Sequence, residues 1–243
     1  MDDCAITSKS KSNYTCLTKN DLLEIAKKLS IKNNNNINKK DLHRVVTAYF
    51  GTDETKWVLT FKGGEKIKKK LELFTFKNFG PLKPTEWVTN IQINNAMYQI
   101  IEYLKQYNKL HFKFYDTVSS DTFKLYPSKI TDIKNLLKKN KSVGIVFNTD
   151  IDKLPGSHWT SVYITPKKAE FFDSNGEKPN KHIQKFLGKF DNWSYNTKTY
   201  QMIDGDCGLW SIMFLLKKAL RTKMNNSDTD YTVNKLRGVF FRV

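Results

Sequence analysis

Apolar positions recur at helical spacing in the first fifty residues of the chain. Thr18 followed by Asp21 resembles a capping box with Asp in place of the preferred Glu, and it introduces Leu22, Leu23, Ile25, Ala26 and Leu29. This set predicts a short amphipathic helix that the asparagine-rich tract at 33–38 breaks. A second helix is predicted from Lys40 to Phe50, carried by Leu42, Val45, Val46 and Tyr49 and stopped at Gly51. The pattern then shortens. Trp57–Phe61 and Leu71–Phe76 read as strands, with Gly63-Gly64 as a turn between them. Gly80-Pro81 and Pro84 make the clearest break, which predicts an N-terminal accessory region at 1–85 and a second domain at 86–243.

Beyond the break, Ile91, Met97, Ile100, Ile101 and Leu104 predict a long helix from about Thr89 that buries one side. Leu110–Tyr115 predicts a short strand and Ile130–Leu137 a helix, followed by the solvent-facing Lys138-Lys139-Asn140-Lys141. Val143–Phe147 is a compact β-prone run. Trp159–Ile164 and Ala169–Phe172 read as a hairpin joined across Pro166-Lys167-Lys168. Helices are predicted from Asn180 to Phe190, over the strongly apolar Leu209–Leu220, and over Tyr231–Phe241. The result is an α+β pattern with no internal repeat.

Composition narrows the reading. The chain has 243 residues, 39% of them hydrophobic and 13% aromatic, enough to bury a sizeable core. No run approaches the roughly 20 apolar residues a membrane span needs. The acidic Met1-Asp2-Asp3-Cys4 start lacks the apolar run of a signal peptide, so a reducing cytosolic or nuclear setting is expected. Cys4, Cys16 and Cys207 are too few and too scattered for a disulfide framework, and no His/Cys cluster has zinc spacing. Lys and Arg number 41 against 24 Asp and Glu, a formal charge of +17. This favours general attraction to polyanions, DNA included, over base-specific recognition, because the lysines are spread along the chain.

The chemistry lies in three separate segments. Cys207 stands at the head of the apolar helix, where unpaired backbone donors and the helix dipole favour a thiolate; a buried cysteine acting as a small hydrophobe is the plain alternative. His158, after Gly156-Ser157, sits at the mouth of a predicted strand and is the candidate base. If the hairpin forms, Asp173 meets His158 at one edge and can accept from the imidazole, with Asp150, Asp152 and Asn175 as rivals. Gln201, six residues before Cys207, is a candidate to point its amide at a developing oxyanion, alongside the Cys207 backbone N–H.

His158-Trp159, Phe172-Asp173-Ser174 and Gln201 to Asp206-Cys207-Gly208 resemble the signature of the Ulp/adenain-like cysteine peptidases. That family includes ubiquitin-like-protein deconjugases, the adenovirus protease and proteases of large DNA viruses. The likeness spans about residues 86–243 and is strongest to the polyprotein-processing viral members, one of which has asparagine where this chain has Asp173. It implies a central mixed sheet flanked by helices, a nucleophile at a helix N-terminus, and a mainly helical N-terminal region with an accessory or substrate-docking role. It also implies Cys207 as nucleophile, His158 as base, Asp173 as orienting acid and Gln201 as oxyanion donor. Trp159 and Trp87 are candidate walls of a narrow substrate channel, and Asn148 a candidate support for the active-site loop. No cofactor or metal enters this chemistry. The implied substrate is a viral structural or core polyprotein, cut after Gly-Gly-type sites during maturation in the virion and the host cytoplasm (the viral factory). The alternative is a deconjugating isopeptidase acting on ubiquitin or a ubiquitin-like modifier. A DNA-binding protein with an inactive peptidase fold is the rival from another class.

Overall fold

The local signals at Thr18 and Asp21 operate as a capping box even though the acid is the shorter one. The Thr18 backbone N–H reaches the Asp21 carboxylate at 2.9 Å, and the Asp21 N–H returns to Thr18 Oγ1 at 3.2 Å. They start the helix Lys19–Lys28, and Asn38 caps the helix Lys39–Phe50, its Oδ1 accepting from the Asp41 N–H at 2.9 Å. This computed structural model describes residues 3–10, 12–28, 36–57, 70–81, 85–106, 111–139 and 142–242. The chain divides into two units, Met1–Phe79 with Val239–Arg242, and Gly80–Gly238. The sequence expectation puts the boundary after residue 85.

In the first unit, Leu22, Ile25, Leu42, Val46 and Trp57 share one buried cluster with Leu71 and Phe76. Two expected strands are corrected here. Trp57 closes the short helix Glu54–Trp57 instead of opening a strand, because its indole N–H donates to the Gly51 carbonyl at 2.9 Å and folds the chain back. Residues 58–61 of that strand and the Gly63-Gly64 turn lie outside the described residues. Leu71–Thr75 is a π-helical turn, with the Phe76 N–H bonded to the Leu71 carbonyl at 3.3 Å. The wide turn sets Leu71 and Phe76 into the same core, which a strand would divide between two faces. β1, Asn78–Phe79, pairs in parallel with Phe241–Arg242.

A third correction is covalent. Cys4 and Cys16 form a disulfide, with their Cα atoms 5.2 Å apart. Spacing gave no sign of it, because the pairing depends on residues 3–8 lying along residues 74–77. The Ala5 N–H donates to the Thr75 carbonyl at 3.0 Å and the Lys77 N–H to the Asp3 carbonyl at 2.7 Å.

The second unit is built on a five-stranded sheet ordered β2-β3-β4-β5-β6, with β2 Phe112–Ser119, β3 Ser142–Asn148, β4 Trp159–Ile164, β5 Ala169–Phe172 and β6 Trp193–Tyr195. The central strands run antiparallel and the two edge strands pair in parallel, so the sheet is mixed. β3 reads as a continuous apolar run because both its faces are covered. The helix Cys207–Ala219 packs across β4 on one face, joined by Asn90–Lys105, and Phe172 stacks on Phe214 with ring centroids 4.7 Å apart. On the other face, Ile133 of the helix Ser128–Lys139 and Ile183 and Phe186 of the helix Lys181–Leu187 enter the cluster around Phe147 and Val162. β2 is longer than the strand expected at 110–115, and the helix expected from Asn180 to Phe190 ends at Leu187. Among the described residues no helix is long and apolar enough to cross a membrane.

Phe147 is fully buried, with Phe123 and Phe186 ring centroids 5.8 and 5.5 Å away. Phe147→Ala is therefore expected to lower the unfolding free energy by about 3–5 kcal/mol in urea titrations.

Candidate active site

Cys207 is the first residue of the helix Cys207–Ala219 and is 3% exposed; it is the free cysteine of the described residues. Everything from Cys207 to Leu215 on that helix is buried, so the sulfur stands on a rigid base. Gly208, next in line, meets the wall opposite so closely that a Cβ there would lie 2.1 Å from Val88 Cγ2. Only glycine lets the helix start approach residue 88 this closely. Behind the thiol, the fully buried Asp206 accepts from Arg237 Nη2 at 2.7 Å and from Asn234 Nδ2 at 2.8 Å. Burial pushes the Asp206 carboxyl pKa up, Arg237 and Asn234 pull against it, and the neighbouring Asp230 adds to the rise.

The hairpin supplies the other two groups. His158 immediately precedes β4 and Asp173 immediately follows β5, and the register Ser161↔Phe172 brings those two ends together. The His158 Nε2–H donates to Asp173 Oδ1 at 2.9 Å, and the imidazole lies near enough to Cys207 to feel its charge. Burial by itself would lower the imidazole pKa. The hydrogen bond to Asp173, the neighbouring Cys207 and the charge of Asp173 outweigh it and raise the pKa to about 10. The carboxylate is itself fixed: Oδ1 also accepts from the Asn175 N–H at 2.8 Å, and the Asp173 N–H donates to Asn196 Oδ1 at 2.9 Å. The rivals fall elsewhere. Asp150 and Asp152 line the cleft, and Asn175 contributes its backbone N–H to Asp173.

Gln201 lies in the loop that leads into the helix, and its Oε1 accepts from Ser174 Oγ at 2.8 Å. Asn148 braces the turn before His158. Its Oδ1 accepts from the Asp150 N–H at 2.9 Å, and a Cβ on Gly156 would fall 2.1 Å from its Nδ2, at a glycine whose φ is +97°. Side-chain volume and backbone conformation thus both require glycine at 156. A cleft of about 530 Å³ opens beside His158, lined by Trp87, Trp159, Asn148 and Gly156 among others. Trp159 is pinned by its indole N–H to the Val88 carbonyl at 2.9 Å, whereas Trp87 is 46% exposed at the rim.

Sequence reasoning passed over the supporting residues. Ser174 was visible inside the Phe172-Asp173-Ser174 segment but carried no assigned task. Asn196, Arg237 and Asp230 gave no local signal, because each reaches the site from an element distant in sequence. Asp230 accepts from the Met202 and Ile203 N–H groups at 2.8 and 3.0 Å and from the Trp210 indole at 2.9 Å.

No protein-family model matches the chain. A protein of Acanthamoeba polyphaga mimivirus assigned as a thiol protease is 26% identical over all of this chain and 94% of its own length. A cysteine protease of African swine fever virus, from a Malawi tick isolate, is 23% identical over 74% of this chain and 76% of the viral protein. The crystal structure of the African swine fever virus protease superposes with a TM-score of 0.62 at 20% identity, covering 99% of this chain and 96% of that one, which establishes a common fold. With a mixed sheet flanked by helices, a cysteine at the head of the buried helix and these relatives, the chain is a homologue of the viral thiol and cysteine proteases, in keeping with its Ulp/adenain-like signature.

Proposed function

We propose that this chain is a cysteine endopeptidase that cuts a viral structural or core polyprotein after Gly-Gly-type sites during virion maturation, acting in the virion and the host-cell viral factory. The observation that carries this reading is the His158–Asp173 hydrogen bond set near Cys207 at the start of a buried helix, beside an open cleft. In the proposed reaction the Cys207 proton has already passed to His158, whose raised pKa favours the imidazolium, and the thiolate attacks the carbonyl carbon of the second glycine. The tetrahedral oxyanion is held by the Gln201 amide and by the Cys207 backbone N–H, which as a first-turn helix donor has no intrahelical acceptor. His158 then gives its proton to the departing amine as the C–N bond breaks, leaving a thioester. Water, deprotonated by His158, attacks the thioester carbonyl, and the C–S bond breaks to release the new C-terminus and leave the Cys207 thiolate beside the imidazolium.

Asp173 keeps the imidazole in the tautomer and orientation this sequence requires and favours its cationic state. Trp87 and Trp159 at the cleft suit a substrate whose two residues before the cut lack side chains. The positive charge of the chain supports a non-specific electrostatic contact with DNA.

Incubating the protein with viral core precursors, with a fluorogenic diglycyl peptide and with ubiquitin-like modifier fusions tests the reading. Cleavage of precursor and peptide, with new N-termini mapping after Gly-Gly, is the expected outcome. Efficient cleavage of the modifier fusions alone would replace polyprotein processing with deconjugation. Tight, salt-sensitive DNA binding by a protein inert to all three would overturn the peptidase function.

A further inference from the structure

We propose that Ser174 is a positioning residue that fixes the polarity of the Gln201 amide, so that one chain corner, Asp173-Ser174, sets both the base and the oxyanion donor. This rests on the function proposed above and adds to it the means by which the donor is aimed.

A glutamine amide has two ends of nearly equal shape and opposite electrostatic sense. Turned one way it donates N–H to an oxyanion; turned the other way its carbonyl oxygen repels it. Something must hold the difference. Ser174 is 1% exposed, and its hydroxyl, which has a single proton to give, donates to Gln201 Oε1 at 2.8 Å. With Oε1 so engaged, the NH2 end is the one left for substrate. Ser174 also uses its backbone: its carbonyl accepts from the Tyr200 N–H at 2.7 Å and the Gln201 N–H at 3.1 Å. Residue 201 is thus bound to residue 174 through both main chain and side chain.

The need for such a tether follows from the loop itself. Residues 202–204, just beyond Gln201, are exposed, with Met202 84% accessible, so apolar packing does not hold this stretch. Its next anchor is Asp230, whose carboxylate takes the Met202 and Ile203 N–H groups and the indole of Trp210 on the Cys207–Ala219 helix. Asp230 fixes the loop backbone against the helix that carries the thiol, and Ser174 fixes the amide within that frame. The neighbouring Asp173 side chain meanwhile holds His158. Two successive residues after β5 therefore serve the two halves of the site, and the short distance along the chain keeps base and donor in register.

The test compares Ser174→Thr with Ser174→Val, side chains of one shape that differ in the hydroxyl, together with Ser174→Ala and Gln201→Ala. Turnover of a fluorogenic diglycyl peptide gives kcat and KM, and the pH dependence of Cys207 alkylation by iodoacetamide reports the thiol–imidazole pair without an oxyanion. Removing an oxyanion donor outright costs about 10²–10³ in kcat, and a donor free to turn over is expected to lose about tenfold. The expected result is a roughly tenfold lower kcat in Ser174→Val and Ser174→Ala, unchanged KM, an unchanged alkylation profile, and recovery in Ser174→Thr. In a Gln201→Ala background, Ser174→Val is expected to cost nothing further.

Equal kcat in the threonine and valine variants, or the same loss with and without Gln201, overturns the proposal while leaving the peptidase function standing. An alkylation profile displaced by Ser174→Val also overturns it, since the residue would then act through Asp173. A wild-type protein that turns over no diglycyl peptide defeats the proposed function and this inference together.

Discussion

Cys207→Ala is expected to abolish cleavage while leaving the fold intact. In the proposed reaction the thiol forms the covalent bond, so without it the protein retains only the binding and electrostatic contributions of the site. Removing a nucleophile from a catalytic triad lowers kcat by about 10⁶, and here product formation is expected to fall by at least about 10⁴-fold. Folding is spared for a local reason. Alanine is the strongest helix former, residue 207 heads a helix anchored by its buried face from Leu209 to Leu215, and the change removes a single buried atom. The measurement is product mapping by mass spectrometry beside a thermal melt. A folded variant that processes the precursor at the wild-type rate would remove Cys207 from the reaction. One that melts far below wild type would give the sulfur a structural role instead.

The second large effect is expected at Asp173, and it carries a pH signature. The imidazole of His158 is held at about 10, against an ordinary value of 6.5, with Asp173 and Cys207 overcoming its burial. Asp173→Ala removes both the hydrogen bond and the charge of the carboxylate, so the pKa of His158 falls. Loss of the orienting acid of a triad costs about 10⁴ in kcat, and a decrease on the order of 10³–10⁴ is expected here. Activity that depends on the protonated imidazole should decline in wild type as pH rises through about 10, and in the variant at lower pH. The same shift bears on stability. A cation whose pKa is raised on folding contributes fully below its unfolded value of about 6.5, and that contribution is lost as pH climbs through about 10. Asp173→Asn is the useful control: an amide oxygen can still accept from Nε2–H, so orientation survives while the charge does not. The alanine and asparagine variants, titrated by NMR of the His158 ring and by kcat/KM against pH, separate the two contributions. A His158 pKa that stays put in Asp173→Ala would defeat the electrostatic account.

The hairpin was legible because its strands are bounded on both sides. Trp159–Ile164 and Ala169–Phe172 have the ends expected of them, and the short connection across Pro166-Lys167-Lys168 left little choice of register. The juxtaposition of residues 158 and 173 follows from that register alone. The helix starts at Thr18, Thr89 and Asn180 were legible for a similar reason, since a cap bonds to the backbone two or three residues on. Leu71–Phe76 misled because a six-residue segment has no period long enough to separate a strand from a wide helical turn. Trp57 misled because its position is set by a bond to the carbonyl of Gly51, which strand propensity does not register.

The sequence by itself determined the class of architecture, the order of the chemical groups along the chain and the identities of Cys207, His158, Asp173 and Gln201 as candidates. These rest on short-range rules: capping, apolar runs bounded by turns, and the residue types that acyl transfer requires. Tertiary structure alone decided the Cys4–Cys16 bond, the buried Asp206–Arg237 pair and the hold of Ser174 and Asp230 on the loop carrying Gln201. Each of those joins residues whose meeting depends on how elements far apart in the chain pack, and no local energy encodes that.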